Sequence, residues 1–322
     1  MVKEKKLLVT GGAGFIGSNL VEKLVQGNHV HVLDNFSAVD DRYIRHLKGR
    51  EGFAVLKKDI TKPADFEDMG HYDTVFHLAA DSDVRGGSEK PSFDFRENAE
   101  GTLNVLEFMR KRDINEIVFA SSSTVYGEAG RIPTPEDYGP YLPISSYGAS
   151  KMAAEGFISA YSHYYGIRAT IFRFANIVGR NSTHGVIFDF IMKLRKDGRQ
   201  LEILGDGTQR KSYMHVSDCV DSMVYVHEYS TRTDIYNLGN EGTTPVRKIA
   251  DTVVESMGLS GVNYNFTGGK DGRGWKGDVK IAELGVKKLS STGWKNRYSS
   301  DESVRVSVNE VIGQIEGQAA QG

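Results

Sequence analysis

A doubly wound parallel α/β sheet of the Rossmann type, with a smaller C-terminal lobe, is the fold class this sequence predicts. Three observations predict it. Short β-branched runs alternate with amphipathic stretches over the first half of the chain, the order that builds a parallel sheet with helices on both faces. A glycine-rich turn, TGGAGFIG (10–17), follows the first run and opens a helical pattern. Near residue 177 the alternation gives way to glycine-rich and charged segments, which places a second lobe there.

KLLVT (6–10), HVHVLD (29–34), FAVLK (53–57), TVFHLAA (74–80), EIVFASSS (116–123) and RATIFRFA (168–175) read as strands, with helical patterns between most of them. They assign residues 1–176 to a dinucleotide-binding domain and 177–315 mainly to a substrate-binding lobe. VIFDFIMKLRKDG predicts a helix in that lobe, and DIYNLGN (234–240) reads as a strand returning to the main sheet. The last residues, EGQAAQG (316–322), read as a frayed tail.

The 322 residues exceed the usual single-core domain, so one large α/β unit with a lobe, or two domains, is expected. The 39% hydrophobic and 25% charged fractions are those of an ordinary globular chain. A net charge of −2 gives no general attraction to nucleic acid or anionic membrane, so an anionic ligand must be held by local groups. A single cysteine, Cys219, points to a reduced compartment, and a cytoplasmic location is expected. MVKEKKLLVTGG has too short an apolar run for a signal segment, and no stretch is long enough to span a membrane. The sequon at Asn181 is then incidental.

Gly11, Gly14 and Gly17 let the backbone turn tightly, approach a pyrophosphate and present helix N-terminal N–H groups to it. A loop can need glycines for positive φ alone, but here strand, turn and helix lead to a second strand ending in Asp34, 20 residues after Gly14. A carboxylate there binds adenosine ribose hydroxyls and repels a 2′-phosphate, so NAD is the expected cofactor, although Arg42 and Arg45 lie a little downstream. Asp59 reads either as an acceptor for the adenine amino group or as the cap of the TKPADF segment.

Tyr147 and Lys151, in SYGASK, are four residues apart and share one face of a helix. A phenol of pKa near ~10 is a poor base unless a neighbouring ammonium favours its anion. Ser121, Ser122 and Ser123 stand at the C-terminal edge of a strand, where ligands bind in open α/β sheets. Three serines can also simply make a turn.

TGGAGFIG, HLAA, SSSTVYG, YGASK, RFANIVG, GDGTQRKSY and GWKGDV occur in the order found in the nucleotide-sugar branch of the extended short-chain dehydrogenase/reductase superfamily, and cover nearly the whole chain. Within that branch the sequence most resembles the UDP-glucose 4-epimerases. The resemblance implies NAD, a UDP-sugar substrate, a homodimer formed through helices near 91–112 and 147–165, and a redox cycle at the sugar C4. It makes Tyr147 the base, Lys151 the group that holds the nicotinamide ribose and tunes the tyrosine, and a serine the partner of the sugar O4. Register places that serine at Ser122, four before Tyr126, with Ser121 and Ser123 as the alternatives on adjacent positions.

Further contacts follow from the same resemblance. Phe15, Ile16, Asn35, Ile60, Leu78, Ala79, Ala80, Asn98 and Ser121 are expected at the cofactor. Asn176, Arg210, Lys211, Tyr213, Arg273 and Asp278 are expected at the substrate, with Lys276 able to replace Arg273 and with Arg85 a weaker candidate. Dehydratases and decarboxylases of the branch carry an acid directly after the catalytic hydroxyl residue, where this chain has Ser123 and Thr124. That difference favours 4-epimerisation. A related enzyme with net redox change, or a 4-epimerase of a UDP-uronate or pentose, is the alternative. Ala282 aligns with a position where a small residue admits N-acetylated sugars.

Overall fold

The computed structural model describes residues 4–268, 271–275 and 277–319, the side chains of Gln318 and Ala319 apart. The first part of the chain runs β1 Lys6–Thr10, α1 Phe15–Leu24, β2 His29–Asp34, β3 Phe53–Lys57, β4 Thr74–His77, α2 Pro91–Asp94, α3 Gly101–Lys111, β5 Glu116–Ser122, α4 Ser146–Tyr165 and β6 Arg168–Phe174. The remainder runs β7 Asn176–Val178, α5 Val186–Lys196, β8 Gln200–Ile203, β9 Arg210–Lys211, β10 Tyr213–His215, α6 Val216–Tyr229, β11 Asp234–Leu238, β12 Thr244–Pro245, α7 Val246–Ser256, β13 Asn263–Phe266, β14 Ile281–Ala282, α8 Lys287–Ser291 and α9 Ser300–Ala319.

Seven parallel strands form the central sheet in the order β11-β6-β5-β4-β1-β2-β3. The strands read as apolar runs because both faces of the sheet are covered. On one face Leu7, Val9, Val32, Phe76 and Phe172 pack with residues of α1 and α6. On the other Leu8, Leu33, Val75, Phe119 and Ile171 pack with residues of α3 and α4. The strand order reverses between β1 and β4, so the loops after β1, β4 and β5 converge on the crevice where ligands bind in such sheets.

The segment 234–240 does return to the sheet: β11 pairs with β6 in parallel register, Ile235 opposite Ile171 and Leu238 opposite Phe174. Helix α6, just before it, also packs on the main sheet, because Cys219, Val220, Met223 and Val226 give it an apolar stripe. The second lobe has its own core, in which Phe190 and Leu194 of α5, Ile249 and Val253 of α7, and Val304 and Val308 of α9 meet Leu201 and Ile203. Within the described residues α9 runs through Ala319. Among the described residues no helix is long and apolar enough to cross a membrane.

Candidate active site

The turn between β1 and α1 requires its glycines. Gly11 has φ +69°, and a Cβ there would stand 2.7 Å from the backbone nitrogen of Ala79. The β4 loop therefore lies directly against the turn, with Leu78 N donating to Thr10 O at 3.1 Å and Ala79 N to Thr10 Oγ1 at 3.2 Å. Gly14 caps α1 without any side-chain acceptor for the first helical N–H groups, which leaves those donors to a ligand oxygen. Under the turn runs a buried chain the sequence reading missed: Thr10 Oγ1 is 2.7 Å from His77 Nδ1, and His77 Nε2 is 2.9 Å from Thr102 Oγ1. Burial, assisted by the charge of Lys151, pulls the His77 pKa down to about 3, so the ring is neutral.

Asp34 sits at the end of β2, where its carboxylate accepts from Ala13 N at 3.0 Å and Phe36 N at 2.9 Å. Burial pushes its pKa up and those two N–H bonds pull it down. Arg42 and Arg45 are engaged by other acids on an exposed turn, Arg42 Nε with Asp40 at 2.7 Å and Arg45 with Asp41 at 3.1 Å. The rim at Asp34 is thus acidic, as a free ribose hydroxyl requires. Asp59 caps its turn, accepting from Thr61 N at 2.9 Å and Thr61 Oγ1 at 2.7 Å, and is also hydrogen-bonded by Asn35. Phe15, Ile16 and Leu78 are partly buried against the core beneath this cradle, and Ala79 packs against the opposite core. Ile60 is buried in that second core, where it packs against Gly101.

Two residues expected at the cofactor are used differently. Asn98 is buried, and both ends of its amide are spent: Oδ1 accepts from Asp81 N at 2.8 Å and Nδ2 donates to Ser150 Oγ at 2.9 Å. It ties the loop after β4 to α4. Ser121 turns its hydroxyl inward to Glu155, because alternation along β5 sends Ser121 and Ser122 to opposite faces.

Ser122 faces the crevice. Its Oγ accepts from Thr124 N at 3.2 Å and Thr124 Oγ1 at 2.9 Å and is hydrogen-bonded to the Tyr147 phenol. With both Thr124 donors directed at it, the Ser122 hydrogen is left to donate to Tyr147 oxygen, which favours the phenolate. Thr124 is thereby a supporting member of the site.

Tyr147 and Lys151 lie on α4, whose first turn is capped by Ser145 Oγ accepting from Gly148 N at 3.1 Å. The Lys151 ammonium is 5.9 Å from the Tyr147 ring centre and donates to Ala120 O at 2.9 Å. Burial lowers the Lys151 pKa to about 8, against the pull of Glu155. Burial likewise pushes the Tyr147 pKa up to about 12; Ser122 opposes this, whereas Asp81 and Asp94 add to it. A phenol so placed ionises only if positive charge is added nearby.

The second lobe contributes the other wall. Adjacent residues of β9 point to opposite sides: Arg210 is exposed and donates to Thr243 Oγ1 at 3.0 Å, whereas Lys211 pairs with buried Asp278 at 2.7 Å. Trp275 bridges the lobes, its ring 5.0 Å from Lys211 Nζ and 4.9 Å from the guanidinium of Arg85. Arg85 also pairs with Asp189 at 3.1 Å. Arg273 is held by Glu128 at 2.5 Å, Asp271 at 2.7 Å and the carbonyl of Asp278 at 2.7 Å. Asn176 is partly buried at the junction, its Nδ2 3.4 Å from Ser212 O. Ala282 follows in β14, opposite Lys211 in register. Tyr213 is the exception: it is 4% exposed within the second-lobe core, where α9 covers β10 and Ser300 Oγ accepts from its backbone N–H at 3.1 Å. Lys276 lies outside the described residues.

The glycine turn at the switch point stands beside a Ser-Tyr-Lys set on the adjacent strand and helix, an arrangement that suits a nicotinamide-dependent enzyme. Residues 7–239 match the NAD dependent epimerase/dehydratase family, and the chain belongs to that family. A crystal structure of a UDP-galactose 4-epimerase superposes with a TM-score of 0.86 at 38% identity, covering 96% of this chain and 99% of that one. The UDP-glucose 4-epimerase of Mycolicibacterium smegmatis is 30% identical over 304 residues, 86% of this chain and 95% of the relative. UDP-glucuronic acid decarboxylase 1 of Xenopus tropicalis is 29% identical over 324 residues, 98% of this chain and 74% of the relative.

Proposed function

We propose that this chain interconverts the C4 epimers of a UDP-sugar, UDP-glucose and UDP-galactose foremost, with no net oxidation. The observation that carries this reading is the environment of Ser122. The two residues that follow it are Ser123 and Thr124, and Thr124 is spent on Ser122 itself. No carboxyl group follows the hydroxyl residue to drive elimination.

NAD fits the residues present: Gly11, Gly14 and the uncapped start of α1 for the pyrophosphate, Asp34 for the adenosine ribose, Lys151 for the nicotinamide ribose. Bound there, it supplies the acceptor, and then the donor, of the hydride at the sugar C4. Tyr147 takes the proton from the 4-hydroxyl and returns it to O4 of the epimer. Ser122 orients both oxygens by hydrogen bonding. Lys151 stabilises the phenolate by charge and, donating to Ala120 O, is fixed in place.

Turning the keto sugar over demands loose contacts to the sugar and firm ones to the diphosphate, so Lys211 and Arg273, with Asp278 and Asn176, carry substrate affinity. The small side chain of Ala282 beside Lys211 supports acceptance of the N-acetylated pair as well.

Purified protein incubated with a panel of UDP-sugars, without added NAD, tests the reading by separation of the products. UDP-galactose from UDP-glucose is the expected result; a 4-keto, dehydrated or decarboxylated product as the main outcome contradicts it. Turnover of UDP-glucose with none of UDP-N-acetylglucosamine contradicts the role given to Ala282.

A homodimer is part of the proposal. Phe93, Phe95 and Phe157 are 40%, 57% and 40% exposed on the two helical stretches expected at the interface, an apolar surface of the kind that marks a partner. Light scattering is expected to give twice the chain mass, and a monomer at micromolar concentration contradicts it.

A further inference from the structure

Next to the catalytic tyrosine, several acceptors compete for one hydrogen. Ser146 Oγ lies 2.9 Å from the carbonyl oxygen of Gly87 and also against Asp94 Oδ2, and a serine hydroxyl has a single hydrogen to give. Asp94 is 0% exposed, and its second oxygen, Oδ1, is buried with no donor. The carboxyl group of Asp81 is close enough for its charge to act on Asp94. Two carboxyl groups so placed repel unless a hydrogen lies between them. One additional proton on Asp94 Oδ1, directed to Asp81, gives the unpartnered oxygen a partner and leaves Oδ2 an uncharged acceptor that competes less for the Ser146 hydrogen.

The framework holds these groups together. Asp81 is fixed through its N–H to Asn98, whose amide reaches Ser150 on α4. Any side chain at Gly87 would collide with both Asp94 and Ser146. We propose that Asp94 is a neutral carboxylic acid in the working protein, its proton shared with Asp81, and that this proton limits the negative charge acting on Tyr147. Asp81 and Asp94 are then positioning residues for the base.

The surroundings agree. Burial pushes the Asp94 carboxyl up from its ordinary value, the Ser146 bond opposes this, and Asp81 and Asp83 add to it. Glu97, in the stretch after α2, is raised mainly by burial, against its bond to Arg96, with Asp59 and then Asp81 adding to the rise. From α4 the pair is faced by Ser146 and by Tyr147, with Lys151 one turn further on, and Arg85 on the same loop is held by Asp189. Both Asp81 and Asp94 make Tyr147 harder to ionise. With its proton the pair carries one negative charge; without it, two. Stability has the same sign. An acid whose folded pKa is raised stabilises the fold at low pH, and that contribution disappears as pH rises through the raised value.

This inference rests on Tyr147 being the base, so its test reads the proton directly, without turnover. Infrared spectra of the whole protein at pH 7 are recorded for wild type, Asp94→Asn and Asp81→Asn. The expected result is a protonated-carboxyl carbonyl band in wild type that is missing from both variants, since either amide supplies the hydrogen permanently. Both variants remain at one negative charge at alkaline pH, so above the pH at which wild type loses the shared proton each is expected to ionise Tyr147 more readily and to show a higher kcat/KM, roughly tenfold for a difference of one pKa unit. A wild-type spectrum identical to that of Asp94→Asn in the carboxyl region overturns the proposal. Should one variant not fold, the other decides. Normal turnover by Tyr147→Phe would refute the base assignment while leaving the band in place, which separates the two failures.

Discussion

Replacing Tyr147 by phenylalanine is expected to lower kcat on the UDP-sugar by about 10²- to 10⁴-fold, the usual contribution of a positioned acid–base group. KM and thermal stability are expected to change little. The ring keeps its place on α4, and only the hydroxyl that meets Ser122 is removed. The Ser122 oxygen keeps its Thr124 donors, and only its own hydrogen loses an acceptor. Steady-state kinetics with wild type and variant at matched NAD occupancy measure the effect. A variant within threefold of wild type would show that the proton of the 4-hydroxyl leaves by another route.

The second large effect is on stability. Arg173, 1% exposed at the end of β6, donates from Nε to Glu155 at 3.0 Å and from NH2 at 2.6 Å. Its guanidinium also packs 4.7 Å from the ring centres of both Tyr126 and Tyr141. Arg173→Met leaves the Glu155 carboxylate buried beside Ser121 without its counter-charge, and a loss of about 3–5 kcal/mol is expected. The double variant Arg173→Met with Glu155→Met is expected to recover most of that loss, because removing a whole buried pair is often close to neutral. Urea denaturation of the single and double variants measures both. A single variant less than 1 kcal/mol below wild type would mean that the pair is wet, not buried.

This pair also shows where the sequence stops being legible. The six early strands could be read because a parallel sheet covered on both faces needs uninterrupted β-branched runs, and those runs mark strands whether or not their partners are known. Only their ends moved: β4 stops at His77, where the chain leaves the sheet to lie against the glycine turn. The Glu155–Arg173 bond joins a helix to a strand 18 residues later in the chain, and no local pattern announces it.

The strands of the second lobe were illegible for a different reason. β9, β12 and β14 are two residues each, too short for any periodicity to register, and it is their pairing that decides which of Arg210 and Lys211 turns inward to Asp278. The resemblance of GDGTQRKSY to the family motif points Tyr213 at the substrate; α9, far along the chain, covers it.

The site itself was legible where chemistry is local. Gly11, Gly14 and Gly17 with Asp34, and Tyr147 with Lys151, each form a unit within one turn or one βαβ step. Asn98 and Ser121 have residue types suited to a cofactor contact, yet their side chains are consumed by Asp81, Ser150 and Glu155. Such competition appears only when the folded neighbours are known. Asp81 and Asp94, 13 positions apart, gave no signal at all, although both make Tyr147 harder to ionise.

The most direct test of the redox cycle follows the hydrogen at C4. UDP-glucose carrying deuterium at C4 is incubated with the protein in ordinary water, and the UDP-galactose formed is examined by NMR and mass spectrometry. The account predicts that the deuterium remains at C4 of the product, now on the opposite face. Loss of the label to water, or its accumulation in free reduced cofactor, would contradict it.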